Sequence, residues 1–150
     1  MTERVGDPRP AHCTAIGKAL LANLPEAELK TFLEAGEFRS LTPKTITAAA
    51  ILELELARVR EQGYAVDDEE FAQGMRCLAA PVRNFTGQVV AAIGISGPVW
   101  RASLDRVAQL TEFVKAAGDR LSQQLGYPGD TREGLSELPT PRSCWERTPI

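Results

Sequence analysis

The apolar positions change period along the chain, and the changes divide it into short helices, then strands, then one long helix. In "TAIGKALLANL", Ile16, Ala19, Leu20 and Leu24 recur at three- and four-residue spacing, and Thr14 stands where an N-cap hydroxyl is wanted. A second short helix is predicted in "PEAELKTFLEAG". Pro25 suits its first turn, Leu29, Phe32 and Leu33 make its apolar face, and Gly36 suits its stop. "FRSLTPKTI" has no period and reads as a loop. Thr47 is then the expected cap of a longer helix, "AAAILELELARVREQ", with Leu52, Leu56 and Val59 inward and Gly63 at its end.

Beyond Gly63 the period falls to two: "YAVDDE" sets Tyr64, Val66 and Asp68 against Ala65, Asp67 and Glu69, as a strand does. "RCLAAPVR" and "QVVAAIGISG" are two further strands, and the turn-forming "NFTG" between them predicts an antiparallel hairpin. Ser103 is the expected cap of the last helix, "LDRVAQLTEFVKAAGDRLSQQLG", with Val107, Leu110, Val114, Ala117, Leu121 and Leu125 as its stripe. The leading "MTERVGDPRPAH" reads as irregular. The closing 24 residues hold four prolines and no period, so residues 127–150 are expected to be a disordered tail in which Trp145 is incidental. Three helices, three strands and a helix make an α+β domain with an antiparallel sheet over residues 1–126.

Composition narrows the function. A chain of 150 residues supports one domain with a real core. Its net charge of −3 gives no basic excess to hold a phosphate backbone, so direct nucleic-acid binding is not expected. The sequence has no run of apolar residues long enough to span a membrane and no signal-peptide pattern, which points to the cytoplasm. Cys13, Cys77 and Cys144 are odd in number and widely spaced, which suits reduced thiols better than a disulfide framework or a zinc knuckle.

The densest chemistry is "DDEEFAQGMRC", residues 67 to 77. As a strand it would point Asp67 and Glu69 to one face and Asp68 and Glu70 to the other, leaving two carboxylates per face. That is a poor metal cage, and with His12 as the sole histidine no metal or other cofactor is expected. A thiol nucleophile would need Cys13 or Cys77 beside His12. Neighbouring side chains normally diverge, and a strand cysteine is more often a small hydrophobe. A pocket wall fits better. Gly94 and Ser96 share one face of the last strand, Asp67 and Cys77 can share that face on neighbouring strands, and the helix after Thr14 would offer the free amides of Ala15 and Ile16 to a carboxylate. The plainer alternative is that glycine and serine there only ease packing.

"HCTAIGKALLANLPEAEL", "LTPKTIT", "ELARVREQGYAVDDEEFAQGMRCLAAPV" and "AAIGISGP", in this order and at these distances, resemble the effector-binding domain of IclR-type bacterial transcriptional regulators over about residues 9 to 126. The resemblance implies a GAF-like α+β domain that senses a small organic or aromatic acid and governs a helix-turn-helix on the same polypeptide. It places Asp67, Cys77 and Ser96 in the effector pocket, with backbone contacts at Ala15 and Ile16 and packing from Met75. Some relatives carry serine where Gly94 stands, which implies one hydroxyl contact fewer. The resemblance also implies that the helix-turn-helix and the start of the sensor domain are absent, as in a truncated product or a late-placed start. Part of the sheet and an edge would then be exposed. Two other readings stand beside it: an interaction or dimerisation protein that modulates full-length relatives, and a small thiol enzyme. The partners implied are an organic acid, a second copy or a full-length paralogue, and DNA only through the absent helix-turn-helix.

Overall fold

The computed structural model describes Gly6 and residues 8–129. The predicted residues 127–150 tail therefore lies almost wholly outside the described residues. In chain order a short 3-10 turn, Ala11–Cys13, leads into α1 (Ala15–Leu21), α2 (Glu26–Ala35), α3 (Ala49–Gln62), β1 (Ala65–Asp68), β2 (Met75–Arg83), β3 (Val89–Pro98) and α4 (Leu104–Gln124). The α+β reading and the element order hold.

The helix ends follow their local chemistry in most places. Thr14 caps α1, its hydroxyl accepting from the Gly17 amide at 3.2 Å. Pro25 precedes α2, and Gly63 ends α3 in the left-handed region at φ 80°, where a Cβ would be strained. Two expected caps fail. The N-cap residue of α3 is Ala48 rather than Thr47, and Ser103 occupies the N-cap of α4 without a hydrogen bond from its side chain.

The three strands form one antiparallel sheet in the order β1-β2-β3, and Asn84–Gly87 closes the predicted hairpin. Each face of the sheet carries a packed helical layer, while the outer strand β3 stays partly open. On one, Ala65 and Ala79 pack with Ala15, Ala19 and Ala22 of the α1 segment and with Leu52, Leu56 and Val59 of α3. On the other, Leu78 and Ala80 pack against Val114 of α4, flanked by Val66, Val107 and Leu110. The result is three layers, with α1 and α3 on one side of the sheet and α4 on the other.

Two helices turn a different face inward from the one their large residues mark. On α1 the buried residues are Ala15, Gly17, Lys18, Ala19 and Leu21, while Ile16 is 47% exposed. A Cβ on Gly17 would come 2.3 Å from the Ala11 carbonyl oxygen, so α1 and the preceding turn meet backbone to backbone. On α4 the deepest residues are Thr111, Val114, Gly118 and Ser122, and Leu125 is exposed. Gly118 explains this, since a Cβ there would lie 2.9 Å from the Pro81 carbonyl oxygen. Ser122 completes the seam by accepting from the Arg83 amide at 2.8 Å and donating to the Gly118 carbonyl at 2.7 Å. A helix this close to a sheet takes small side chains at the contact and leaves its larger ones at the flanks.

Candidate functional site

The register aligns Asp67, Cys77 and Ser96 in one row across all three strands. Alternation places them on the face covered by α1, with Met75 in the row on one side, opposite Pro98, and Ala65, Ala79 and Gly94 in the row on the other. Cys77 Sγ lies 3.0 Å from Ser96 Oγ. Asp67 stands directly opposite Cys77 across the β1–β2 pair. Exposure is graded along the row: Asp67 is buried, Cys77 is half-buried and Ser96 is open on the outer strand.

Above this face, Thr14 engages the Gly17 amide through its hydroxyl and the Lys18 amide through its carbonyl. Ala15 and Ile16 therefore hold the open donors of the first turn. Ala15 is buried in the same apolar cluster that Cys77 packs against, whereas the Ile16 side chain faces outward. Gly94, a candidate pocket residue, is a close-approach position. A Cβ there would sit 2.6 Å from the Leu78 carbonyl oxygen, so a serine would require the backbone to shift.

The carboxylates divide differently from the strand pattern. β1 ends at Asp68, and Glu69 adopts φ 62°, which turns the chain out of the sheet. Asp67 Oδ1 accepts from the amides of Glu70 at 2.8 Å and Phe71 at 3.3 Å, so it holds the turn as well as facing the row. Burial raises its pKa above the ordinary carboxylate value, opposed by those amides and by Lys18. Asp68 pairs with Arg76 at 2.5 Å and with Lys44 at 3.0 Å, and Glu69 pairs with Lys44 at 2.9 Å. Hydrogen bonds from Lys44 hold Glu69 below its usual range, and those from Lys44 and Arg76 do the same for Asp68 against the cost of its burial.

Glu70 does not face solvent. It is buried, and its Oε1 lies 2.6 Å from Nζ of Lys18, whose side chain has no exposed surface. Glu55 meets the same ammonium at 3.2 Å. Burial raises the Glu70 pKa despite Lys18, and Glu70 Oε2 has no partner among the described residues. Pattern reading missed this cluster, together with Thr42 and Thr45, whose hydroxyls donate to the Glu69 carbonyl at 2.7 Å and the Glu70 carbonyl at 2.6 Å. The available signal was Lys18 itself, set three residues after Ala15 and four before Ala22 on a stripe of small residues.

Thiol chemistry gains nothing from the geometry. Cys13 is fully buried, and burial with Asp67 and Glu70 nearby pushes its pKa up to about 11, which keeps it a thiol. His12 donates from Nε2 to the Arg39 carbonyl at 3.1 Å and stacks at a tilt on Phe38, which occupies it structurally. Among the described residues no group of three or more His, Cys, Asp or Glu side chains is placed to hold a metal ion. None of their helices is long and apolar enough to cross a membrane.

The family model described as bacterial transcriptional regulator IclR C-terminal matches residues 1–123. The chain is 45% identical over 125 residues to the HTH-type transcriptional regulator XynR of Escherichia coli K12, covering 83% of this chain and 50% of XynR. It superposes on the Thermotoga maritima IclR structure with a TM-score of 0.79 at 36% identity, covering 85% of this chain and 51% of that one. It also superposes on a double mutant of the inducer-binding domain of the PobR transcription factor from Acinetobacter, solved with 3-hydroxybenzoic acid. There the TM-score is 0.74 at 28% identity, with 79% and 69% covered. The chain spans about half the length of curated relatives such as XynR and E. coli KdgR, both transcriptional regulators rather than enzymes. With its α+β layers, its register and its matched span all in agreement, the chain belongs to the IclR family of bacterial transcriptional regulators and corresponds to that family's C-terminal domain.

Proposed function

We propose that this chain is a cytoplasmic sensing module for a small organic or aromatic acid, and that it regulates transcription through a helix-turn-helix outside these 150 residues. The observation that carries this reading is the aligned row of an acid, a thiol and a hydroxyl under the first turn of α1. The assignment gives the ligand's carboxylate to the open amides of Ala15 and Ile16 and to the Ser96 hydroxyl. It gives a ligand hydroxyl to Asp67, whose second carboxylate oxygen is not used by the turn amides. Cys77 lies between them, Met75 stands in the neighbouring row on one side, and Gly94 in the row on the other, where it lets the chain come close to Leu78 and Ala79. The inducer-binding domain of PobR, a family relative solved with 3-hydroxybenzoic acid, supports a ligand of this class. Thermal unfolding followed by scattering-free fluorescence tests it. A panel of small hydroxy acids, 3-hydroxybenzoate among them, should raise the midpoint for at least one member in a concentration-dependent way, as any ligand selective for the native state must. An unchanged midpoint across the panel at millimolar concentration would remove the reading.

The alternative, an interaction module that pairs with a second copy or a longer relative, is favoured by one observation. β3 is an outer strand of the described sheet, and Val90 and Ile95 on it are about half exposed, at 50% and 42%. On this reading light scattering should give a mass above that of one chain. A monodisperse monomer would set it aside.

A further inference from the structure

Asp67 reaches the candidate row with one carboxylate oxygen already engaged: Oδ1 accepts from the amides of Glu70 at 2.8 Å and Phe71 at 3.3 Å. The direction of its other oxygen therefore depends on where the turn after β1 holds those two amides. Local backbone preference does not hold them, since Glu69 takes φ 62°, an uncommon conformation for any residue but glycine. Glu70 is what fixes the turn, through its amide, its carbonyl and its side chain at once. The amide donates to Asp67, the carbonyl accepts from Thr45 Oγ1 at 2.6 Å, and Oε1 lies 2.6 Å from Nζ of Lys18. The last of these bonds leaves the turn and reaches α1.

The pair bridges a contact that is otherwise smooth. α1 meets the sheet through Ala15 and Ala19, and apolar contact between such small groups has no preferred direction. A buried ion pair does have one, and fixing the register of packed elements is the best-attested use of such pairs. Here it sets which part of α1 stands over the turn. Glu55 of α3 braces the same ammonium at 3.2 Å. The Lys18 side chain has no exposed surface and that of Glu70 only 10%, so neither is open to a ligand lying on the row.

We propose that Lys18 and Glu70 are positioning residues for the candidate pocket: their ion pair holds the turn after β1 so that Asp67 presents its second carboxylate oxygen to the row, and neither side chain touches the ligand. The consequence for binding rests on the pocket reading above. The hold on Asp67 does not, and the two are measured separately.

The experiment compares the whole chain with the double variant Lys18→Met/Glu70→Leu and with Glu70→Gln and Lys44→Ala. The double variant replaces the pair by apolar groups of similar volume, which a fold tolerates far better than an unpaired charge. Glu70→Gln keeps an oxygen for the ammonium. Lys44→Ala removes the exposed ties to Asp68 and Glu69 on the same turn, which do not reach α1. Without ligand, residue-resolved hydrogen exchange, corrected for intrinsic rates, should show the amides at position 70 and Phe71 exchanging roughly 2- to 30-fold faster in the double variant, the range of coupling carried by contiguous networks. The amides of Leu52 and Val114 should keep the wild-type rate. With ligand, titration calorimetry should show the preference for 3-hydroxybenzoate over benzoate falling by the same factor in the double variant, while benzoate affinity holds. A pair that served stability alone would weaken both probes together or, with stability regained, neither. Glu70→Gln and Lys44→Ala should keep both the protection and the preference. Unchanged exchange at position 70 and Phe71 in the double variant would overturn the hold on Asp67 whatever the probes do. Faster exchange there with an unchanged preference would overturn its role in binding. A wild type that binds neither probe would overturn the pocket reading alone, since the exchange result stands without it.

Discussion

Replacing Lys18 with methionine is expected to lower stability by about 3–5 kcal/mol, the usual cost of removing one partner of a buried ion pair. Lys18 has no exposed side-chain surface and holds Glu70 at 2.6 Å and Glu55 at 3.2 Å. Without it Glu70 keeps its burial and loses its counter-charge, and Glu70 Oε2 already lacks a partner among the described residues. Glu55 suffers less, since it is partly exposed and also meets Arg58 at 3.4 Å. The pH dependence follows in sign. Burial places the Glu70 pKa above its ordinary value with Lys18 present, and loss of the ammonium would move it higher. A carboxyl whose folded pKa is raised contributes stability that is complete below its unfolded pKa and is lost as pH rises through the folded one. The gap between wild type and Lys18→Met should therefore be smallest in acid and widen as pH climbs above the ordinary carboxylate range. Adding Glu70→Leu should recover most of the loss, because an apolar pair of similar volume is tolerated where an unpaired charge is not. Urea unfolding at several pH values measures all three. A loss under about 1 kcal/mol, ordinary for any point substitution, or a gap that widens toward acid, would show that the pair does not hold α1 to the turn.

The elements that were legible were those whose side chains repeat with a clear period and end on residues of fixed backbone preference. Gly63 and Pro25 mark real helix ends, and the period of two through "YAVDDE" puts Asp67 on the same face as Cys77 and Ser96, as the register confirms. That face was readable because a slip of one residue would have buried Asp68 and Arg76 against α1 and turned Asp67 away. Large residues misled where backbones approach closely. Ile16 marks the open side of α1, and Gly118 and Ser122 mark the deepest line of α4, because Gly17 and Gly118 admit contacts that a longer side chain would prevent. The turn after Asp68 was illegible for a different reason. Glu69 takes a positive φ that residue type does not announce, and the alternation carried past it put Glu70 on one face with Asp68, whereas Glu70 is buried. Tertiary partners decide that position: Thr42, Thr45 and Lys44 come from a loop more than twenty residues earlier in the chain. No local pattern encodes them.

Titration calorimetry on wild type and three variants tests the assignment of the pocket most directly, with 3-hydroxybenzoate and benzoate as the paired probes. Ser96→Ala removes a hydroxyl assigned to the ligand's carboxylate, and Asp67→Asn removes the charged acceptor assigned to its hydroxyl while keeping an Oδ1 for the Glu70 and Phe71 amides. Thr86→Ala, exposed in the hairpin turn, is the neutral control. Stranding a buried polar group costs about 1–3 kcal/mol, or roughly one to two orders of magnitude in affinity. The account predicts that wild type and Thr86→Ala bind 3-hydroxybenzoate equally and that Ser96→Ala weakens both probes by that factor. Asp67→Asn should weaken 3-hydroxybenzoate and leave benzoate nearly unchanged. Equal affinity of all four proteins for 3-hydroxybenzoate, or loss in Thr86→Ala alone, would contradict the placement of the ligand on the Asp67, Cys77 and Ser96 row.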